Sequence, residues 1–217
     1  MKKLLLLLSI LVITLNLFSA THNHFDEYEV RYIKEDMMLN SQYQESLRNA
    51  SLWSNFRNSH PNWFVIFNER NQLPHRAFGE PIPVSDVQSF LNLNNFPLPN
   101  DLREISVVRN DKYINKIYTQ YYNDLEVLGS KFYAKFNLNN ELITFGLDVF
   151  NDINISTVPM LSREDAIASA VSDISGAITN TRVNDQLKIL ANPKYRKYDY
   201  HLVYQVFFST KISAGPA

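Results

Sequence analysis

The chain has 217 residues, a formal net charge of −1 at pH 7 and no cysteine. Its near-neutral charge removes the electrostatic basis for nucleic-acid binding, and a composition 45% hydrophobic with 13% aromatic residues excludes a disordered chain. Without thiols there is no disulfide, zinc finger, iron–sulfur site, thiol nucleophile or lipid-modified cysteine, so packing alone must hold the fold.

Residues 1–20 read as a secretory signal peptide. Lys2 and Lys3 form the positive n-region, Leu4 to Val12 an apolar stretch interrupted only by Ser9, and Ser19-Ala20 supply small residues for cleavage. The apolar run is short for a bilayer span and is broken by Thr14 and Asn16. The expectation is export to the periplasm or beyond, with no stable membrane anchor after cleavage. What remains, about 197 residues (217 − 20), makes one large domain or two small ones.

Residues 21–60 read as a polar lead-in. His22 and His24 form an H-x-H pair with no third ligand nearby, which fits a frayed mature terminus better than a metal site. Acidic residues at 26, 27, 29, 35 and 36 interleave with Arg31 and Lys34 as a solvated face, while Tyr28, Tyr32, Ile33 and Met37 share one side of a weak helix.

From Trp63 the texture changes. Residues 63–67 are an aromatic and branched run suited to a strand, residues 68–71 a turn, and residues 73–79 a return segment of edge character because Pro74 cannot donate to a ladder. Ser85 and Gln88 are spaced as a capping box, with Phe90 and Leu91 on the buried face of the helix that follows and Pro97 and Pro99 in the loop that ends it. Further strands are expected around Ile105 to Val108, over 117–122, and over 131–138, where Phe132, Ala134, Phe136 and Leu138 alternate with polar positions. Asn139-Asn140 is a hairpin turn leading to a partner strand over 142–149, since asparagine tolerates the left-handed conformation. Together these form an antiparallel meander.

A helix follows at 162–175. Ser162 with Asp165 resembles a capping box, Ala166, Ile167, Ala170, Val171 and Ile174 form a stripe, and Gly176 provides the left-handed C-cap. Residues 187–191 and 201–209 read as two more strands, joined through a basic, tyrosine-bearing loop at 192–197 whose two readings are a contact for an acidic partner and, more commonly, a solvated hairpin tip. The fold class expected is α+β: antiparallel sheet modules with a few packed helices.

Catalytic signatures are missing from the sequence. It has no H-E-x-x-H, G-x-S-x-G, P-loop or dinucleotide-binding fingerprint, and its five glycines are scattered. His60, His75 and His201 sit beside strands, where histidine is usually a structural residue. Asp and Glu are too common for a two-carboxylate glycosidase to be recognised from sequence.

Residues 115–129, Asn-Lys-Ile-Tyr-Thr-Gln-Tyr-Tyr-Asn-Asp-Leu-Glu-Val-Leu-Gly, resemble the signature of the fungalysin/thermolysin propeptide (FTP) domain. In that family a strand rich in tyrosine and glutamine is followed by a turn, an apolar–x–Val pair and glycine, here Val127 and Gly129. Residues 63–79 and the hairpin at 130–146 are similar to the same family, and residues 159–209 to the adjoining PepSY-like module, so the resemblance covers about two-thirds of the chain. The sequence departs from the pattern at Asn115 and Ile117, where the family often has histidine and arginine, and at Asp124, where it has glycine.

The resemblance implies an FTP-like domain at 61–150 and a truncated PepSY-like domain at 151–217. It implies a non-enzymatic pro-region of an exported zinc metalloprotease, which templates the folding of the protease domain and keeps it latent. The partner is then the cognate metalloprotease domain. The zinc belongs to that domain, and no cofactor is expected in this chain. Partner-contact candidates are Tyr118, Gln120, Tyr121, Tyr122 and Tyr133; Val127, Gly129, Ser162 and Gly176 are structural. The ending at Ala217, just after a strand and without a protease domain, points to a fragment of a longer precursor or to a free-standing protein. The alternative function is a secreted binding or adhesion module without a protease partner.

Overall fold

The computed structural model describes residues 40–172, 178–183 and 186–210. The expected signal peptide at 1–20, the H-x-H pair, the weak helix expected in the lead-in, Ile174, Gly176 and the C-terminal stretch 211–217 lie outside the described residues.

Two helices, α1 (Ser41–Asn49) and α2 (Ser51–Ser59), occupy part of the stretch expected to be a polar lead-in. The Asn40 side chain caps α1 by accepting from the Tyr43 N–H at 3.0 Å. Both helices are polar on average, yet Leu47, Trp53 and Phe56 enter the main core, with Trp53 and Phe56 at i,i+3 stacked 5.0 Å apart. The lead-in therefore does not run to residue 60 as an uncommitted segment: a few large side chains at helical spacing suffice to dock it.

Strands β1 (Phe64–Asn68) and β2 (Leu73–Pro83) form a hairpin whose turn places Gln72 at φ 60°. Contrary to its edge-like reading, β2 is internal, paired with β1 on one side and β7 on the other. Pro74 is accommodated because the β1–β2 register shifts between Ile66 and Phe67, so the proline sits at an irregularity rather than in a regular ladder. Helix α3 (Val87–Leu93) starts one residue later than the Ser85 capping box predicts: Asp86 Oδ1 accepts from the Ser89 N–H at 2.7 Å. That backbone hydrogen bond holds the Asp86 carboxyl below its usual range. Val87 and Leu91 are buried and Phe90 packs at the margin.

The meander comprises β3 (Leu102–Arg109), β4 (Tyr113–Tyr122), β5 (Leu125–Leu128), β6 (Lys131–Asn137) and β7 (Glu141–Asp148). The Asn139-Asn140 turn is present, with Asn140 at φ 60°. Leu138 is 44% exposed and does not continue the buried alternation, because β6 ends at Asn137, whose side-chain oxygen accepts from the N–H groups of Asn139 and Glu141. Beyond it lie α4 (Arg163–Ser172), β8 (Ile178–Val183), β9 (Lys188–Lys194), β10 (Lys197–Val203) and β11 (Val206–Thr210).

The large sheet has the order β1-β2-β7-β6-β4-β5-β9-β10, with β3 on β4, while β8 and β11 pair separately. Among the described residues all pairings are antiparallel except β5 with β9, where Val127 and Leu128 lie beside Ile189 and Leu190. The fold is mixed α+β and dominated by strands, as the sequence implied. Three details differ. The loop expected at 192–197 is a tight turn at Tyr195-Arg196 with the strands extended into it. The strand expected over 201–209 is divided into β10 and β11, and β8 is a further strand, rich in β-branched residues, that the sequence reading does not include.

Helix α4 starts as expected, with Ser162 Oγ accepting from the Asp165 N–H at 3.1 Å, but none of its residues is buried. Within Arg163–Ser172 the stripe consists of two alanines, Ile167 and Val171, so this part has little apolar area with which to dock, and Val171 is 38% exposed.

Two cores result. The main one joins α1, α2 and α3 to one face of β1, β2, β7, β6 and β4 through residues such as Trp53, Phe56, Leu91, Phe132 and Phe145. The second gathers Val127, Phe150, Ile153, Ile189 and Ala191 where β5 meets β9.

Candidate protein-binding face

Registers across the sheet separate its two faces. Val65, Ala77, Phe145 and Ala134 lie side by side on β1, β2, β7 and β6, and all are buried under the helices. One residue along each strand, a second row runs Phe64, Phe78, Thr144, Lys135, Asn115, Val108 across six strands, β1, β2, β7, β6, β4 and β3. Because side chains alternate in a strand, this row lies on the opposite face. Phe64 is 62%, Phe78 38% and Val108 49% exposed, and none of the second row belongs to either core.

Cations lie over aromatic rings along this face. Lys135 Nζ is 4.3 Å from the centroid of Tyr113, Arg103 Cζ is 3.9 Å from that of Tyr121, and Arg76 Cζ is 5.4 Å from that of Phe78, which itself stacks on Phe64 at 5.8 Å. Lys135–Tyr113 and Arg103–Tyr121 are cross-strand diagonals that the register builds, while Arg76 and Phe78 are two apart on β2 and so share a face. Arg103 is also held by Asp101 at 2.6 Å and Asp124 at 2.7 Å, and its hydrogen bond lowers the Asp101 carboxyl below its usual range. Beside Tyr121 and Tyr122 an open cleft of about 460 Å³ is walled by Leu98, Asp101, Asn123 and Phe150.

The five partner-contact candidates divide by strand parity. Tyr121 lies on the open face, as does Tyr133, whose ring crosses Gly146 and whose hydroxyl donates to His75 O at 3.3 Å. Burial pushes the Tyr133 hydroxyl up to about 12. Tyr122 packs on the second core and borders the cleft. Tyr118 and Gln120 do not belong to a contact surface: Tyr118 is buried and stacked 4.7 Å from Phe132, and burial pushes its hydroxyl up to about 12. Gln120 is buried and binds the backbone of Phe150. Sequence reading overlooked Tyr113, Arg76, Phe78, Arg103 and Lys135. The signal that points to Tyr113 is the odd-numbered series Tyr113, Asn115, Ile117, Thr119, Tyr121, set against Ile114, Tyr118 and Gln120 facing the core; the others follow only from the register of the neighbouring strands.

The structural motif residues have clear roles. Asn123 and Asp124 both have positive φ, 48° and 62°, in a two-residue hairpin between β4 and β5, which explains why glycine suits the position of Asp124. Val127 is buried in the second core, and Gly129 has φ 81° at the following turn, where Ser130 Oγ donates to Val127 O at 2.7 Å.

A separate polar network lies at one end of β2 and β7. His75 Nδ1 is 2.8 Å from Asp148 Oδ2, and Asn68 Nδ2 donates to Asp148 Oδ1 at 3.1 Å and to the Tyr198 hydroxyl at 3.0 Å. The hydrogen bond to Asp148 raises the His75 pKa above its ordinary value, against burial and the nearby Lys131 and Arg76. Among the described residues no three His, Asp or Glu side chains gather as a metal-ligand set, and no helix is long and apolar enough to cross a membrane.

No protein-family model and no curated protein matches the chain. Among solved structures, it is similar to the C-terminal domain of Bacillus megaterium YpeB, with 16% identity over 64% of this chain and a TM-score of 0.33. The similarity spans 62% of the length of that structure.

Proposed function

We propose that this chain is a non-enzymatic protein-binding module, and that it serves as the pro-region of an exported fungalysin/thermolysin-type zinc metalloprotease. The observation that carries the binding role is the row of cation-capped aromatics, Tyr113, Tyr121 and Phe78, on a sheet face that contributes to neither core. Tyrosine and arginine are enriched among the side chains that dominate interface energetics, and here the cations already rest over the aromatic rings. The pro-region role rests on the resemblance of residues 115–129 to the FTP signature. In that role the face binds native-like surface of the protease domain, stabilises it by mass action and covers its cleft. Refolding of the metalloprotease domain encoded alongside this chain, with and without an equimolar amount of the chain and with serum albumin as control, tests the reading. A yield above that with albumin, reduced by Tyr121→Ser, is expected. An equal yield together with no binding to the protease redirects the face to the other partners of a free-standing binding module.

A further inference from the structure

A second cleft, of about 230 Å³, opens between two turns distant in sequence, the β1–β2 turn and the β9–β10 turn. Arg70, Arg196 and Lys197 line it, together with Tyr198 and Asp152. The turns are locked to each other by Arg70 Nε, which donates to Lys194 O at 2.8 Å. Arg196, at φ 58°, lies 4.7 Å from the Tyr43 ring centroid and 5.3 Å from that of Tyr195, and among the described residues no carboxylate pairs with it. The acidic groups nearby are engaged: Asp152 accepts from the Tyr200 hydroxyl, Asp199 pairs with Lys197 at 3.0 Å, and Glu69 accepts from Asn40 N and Gln44 Nε2. A guanidinium resting against two tyrosine rings is held by them while its charge meets no carboxylate among the described residues, and its planar fork of N–H donors matches a carboxylate.

We propose that this cleft, together with the β9–β10 tip beside it, docks an acidic segment of a partner protein, with carboxylates on Arg196 and Lys197 at the cleft and an apolar side chain on Tyr195 at the tip. Lys194, Arg196 and Lys197 crowd one hairpin tip beside Tyr195, which is 84% exposed. A single small anion engages one or two of these cations; a segment alternating acidic and apolar residues engages the tip and the tyrosine together. The inference does not rest on the pro-region reading, because the cleft lies apart from the cation-capped aromatics and its lining includes none of them.

The test is fluorescence anisotropy of the full chain with a labelled octapeptide alternating glutamate and alanine, at low and physiological salt. Salt-sensitive binding is expected, weakened about fivefold by Arg196→Gln, the value of one exposed ion pair near 1 kcal/mol. Lys112→Gln, on the β3–β4 turn, should leave binding unchanged, and inorganic phosphate should not displace the peptide. Arg196→Gly, suited to the left-handed backbone, repeats the charge deletion if the glutamine variant melts early. Equal affinity of the glutamine-for-glutamate peptide, unchanged binding by both Arg196 variants, an equal loss in Lys112→Gln, or full displacement by phosphate each overturns the proposal.

Discussion

Gln120 binds Phe150 as a neighbouring strand would. Its side-chain Nε2 donates to Phe150 O at 2.6 Å, and its Oε1 accepts from Phe150 N at 2.8 Å. The amide thereby satisfies both backbone groups of a residue that leaves β7 for the second core. Gln44 does the same for Phe67 on the sheet's terminal strand, at 2.9 Å in both directions, using helix α1 to occupy backbone groups on an edge.

Gln120→Ala is therefore expected to destabilise the protein by about 3 kcal/mol, the cost of two lost hydrogen bonds with a buried N–H and C=O left unpaired. Gln120→Glu should also destabilise, because it removes the donor and buries a charge. Urea unfolding measures both, and a loss below about 1 kcal/mol in the alanine variant would show that water replaces the clamp.

Gly146 carries a packing constraint that a substitution exposes. A β-carbon there would lie 2.2 Å from Tyr133 Cε1 and 2.3 Å from His75 O. The tyrosine ring can move aside, but the carbonyl belongs to strand β2. Gly146→Ala should cost about 2–3 kcal/mol, as an overpacked site does, and adding Tyr133→Ala should not restore stability. Recovery of the parent melting temperature in the double variant would place the whole clash on the ring.

His75 makes the fold sensitive to mild pH change. Its pKa is raised from 6.5 in the folded protein, first by the hydrogen bond to Asp148. A raised folded value means that the native state binds the proton more tightly than the unfolded chain. The stabilisation is complete below about 6.5 and is lost as pH rises through the higher folded value. Denaturant midpoints measured from pH 8 down to pH 6 should rise for the parent chain more than for His75→Gln. Parallel profiles would remove His75 as the source.

Much of this architecture is legible because burial is one-sided. Phe132, Ala134 and Phe136 alternate with polar residues, and the structure buries that set alone. Strand β4 reads less clearly because both of its faces carry aromatic or branched side chains: Ile114 and Tyr118 on one, Tyr113, Ile117 and Tyr121 on the other. Spacing identifies the two sets without telling which meets the helices, and so the sequence alone does not separate Tyr118 and Gln120 from Tyr121. Pairings between distant segments leave still less trace: nothing local in Val127 and Leu128 announces the parallel partner Ile189-Leu190. Strand β8 has β-branched residues but no alternating apolar face, and it pairs with Phe207 and Phe208 on β11.

Helix α4 shows how a clear start signal can accompany weak docking. An apolar stripe led by Ile167 predicts a large penalty for a charge there. With no α4 residue buried, Ile167→Asp should instead cost under about 1 kcal/mol, near the range of surface substitutions. Leu91→Asp on α3, where the side chain is fully buried, should prevent folding or cost several times more. Comparable melting temperatures for the two variants would mean that α4 is packed as tightly as α3.

The division of the tyrosines on β4 makes stability and binding separable. Tyr118 is buried and stacked on Phe132, so Tyr118→Ala removes a large core side chain and should cost about 3–5 kcal/mol. Tyr121 is half-buried on the open face beneath Arg103, and Tyr121→Ser forfeits mainly that contact, about 1 kcal/mol. If the face binds the protease domain, the order reverses in a binding assay: Tyr121→Ser and Tyr113→Ser weaken the complex, while Tyr118→Ala measured well below its melting temperature retains the affinity of its folded fraction. Anchors of this kind cost about 2 kcal/mol or more when truncated, a loss of roughly thirtyfold in affinity. Calorimetric titration of the protease domain with each variant reads both the folded fraction and the affinity. Undiminished binding by the Tyr113 and Tyr121 variants would move the contact surface off this face of the sheet.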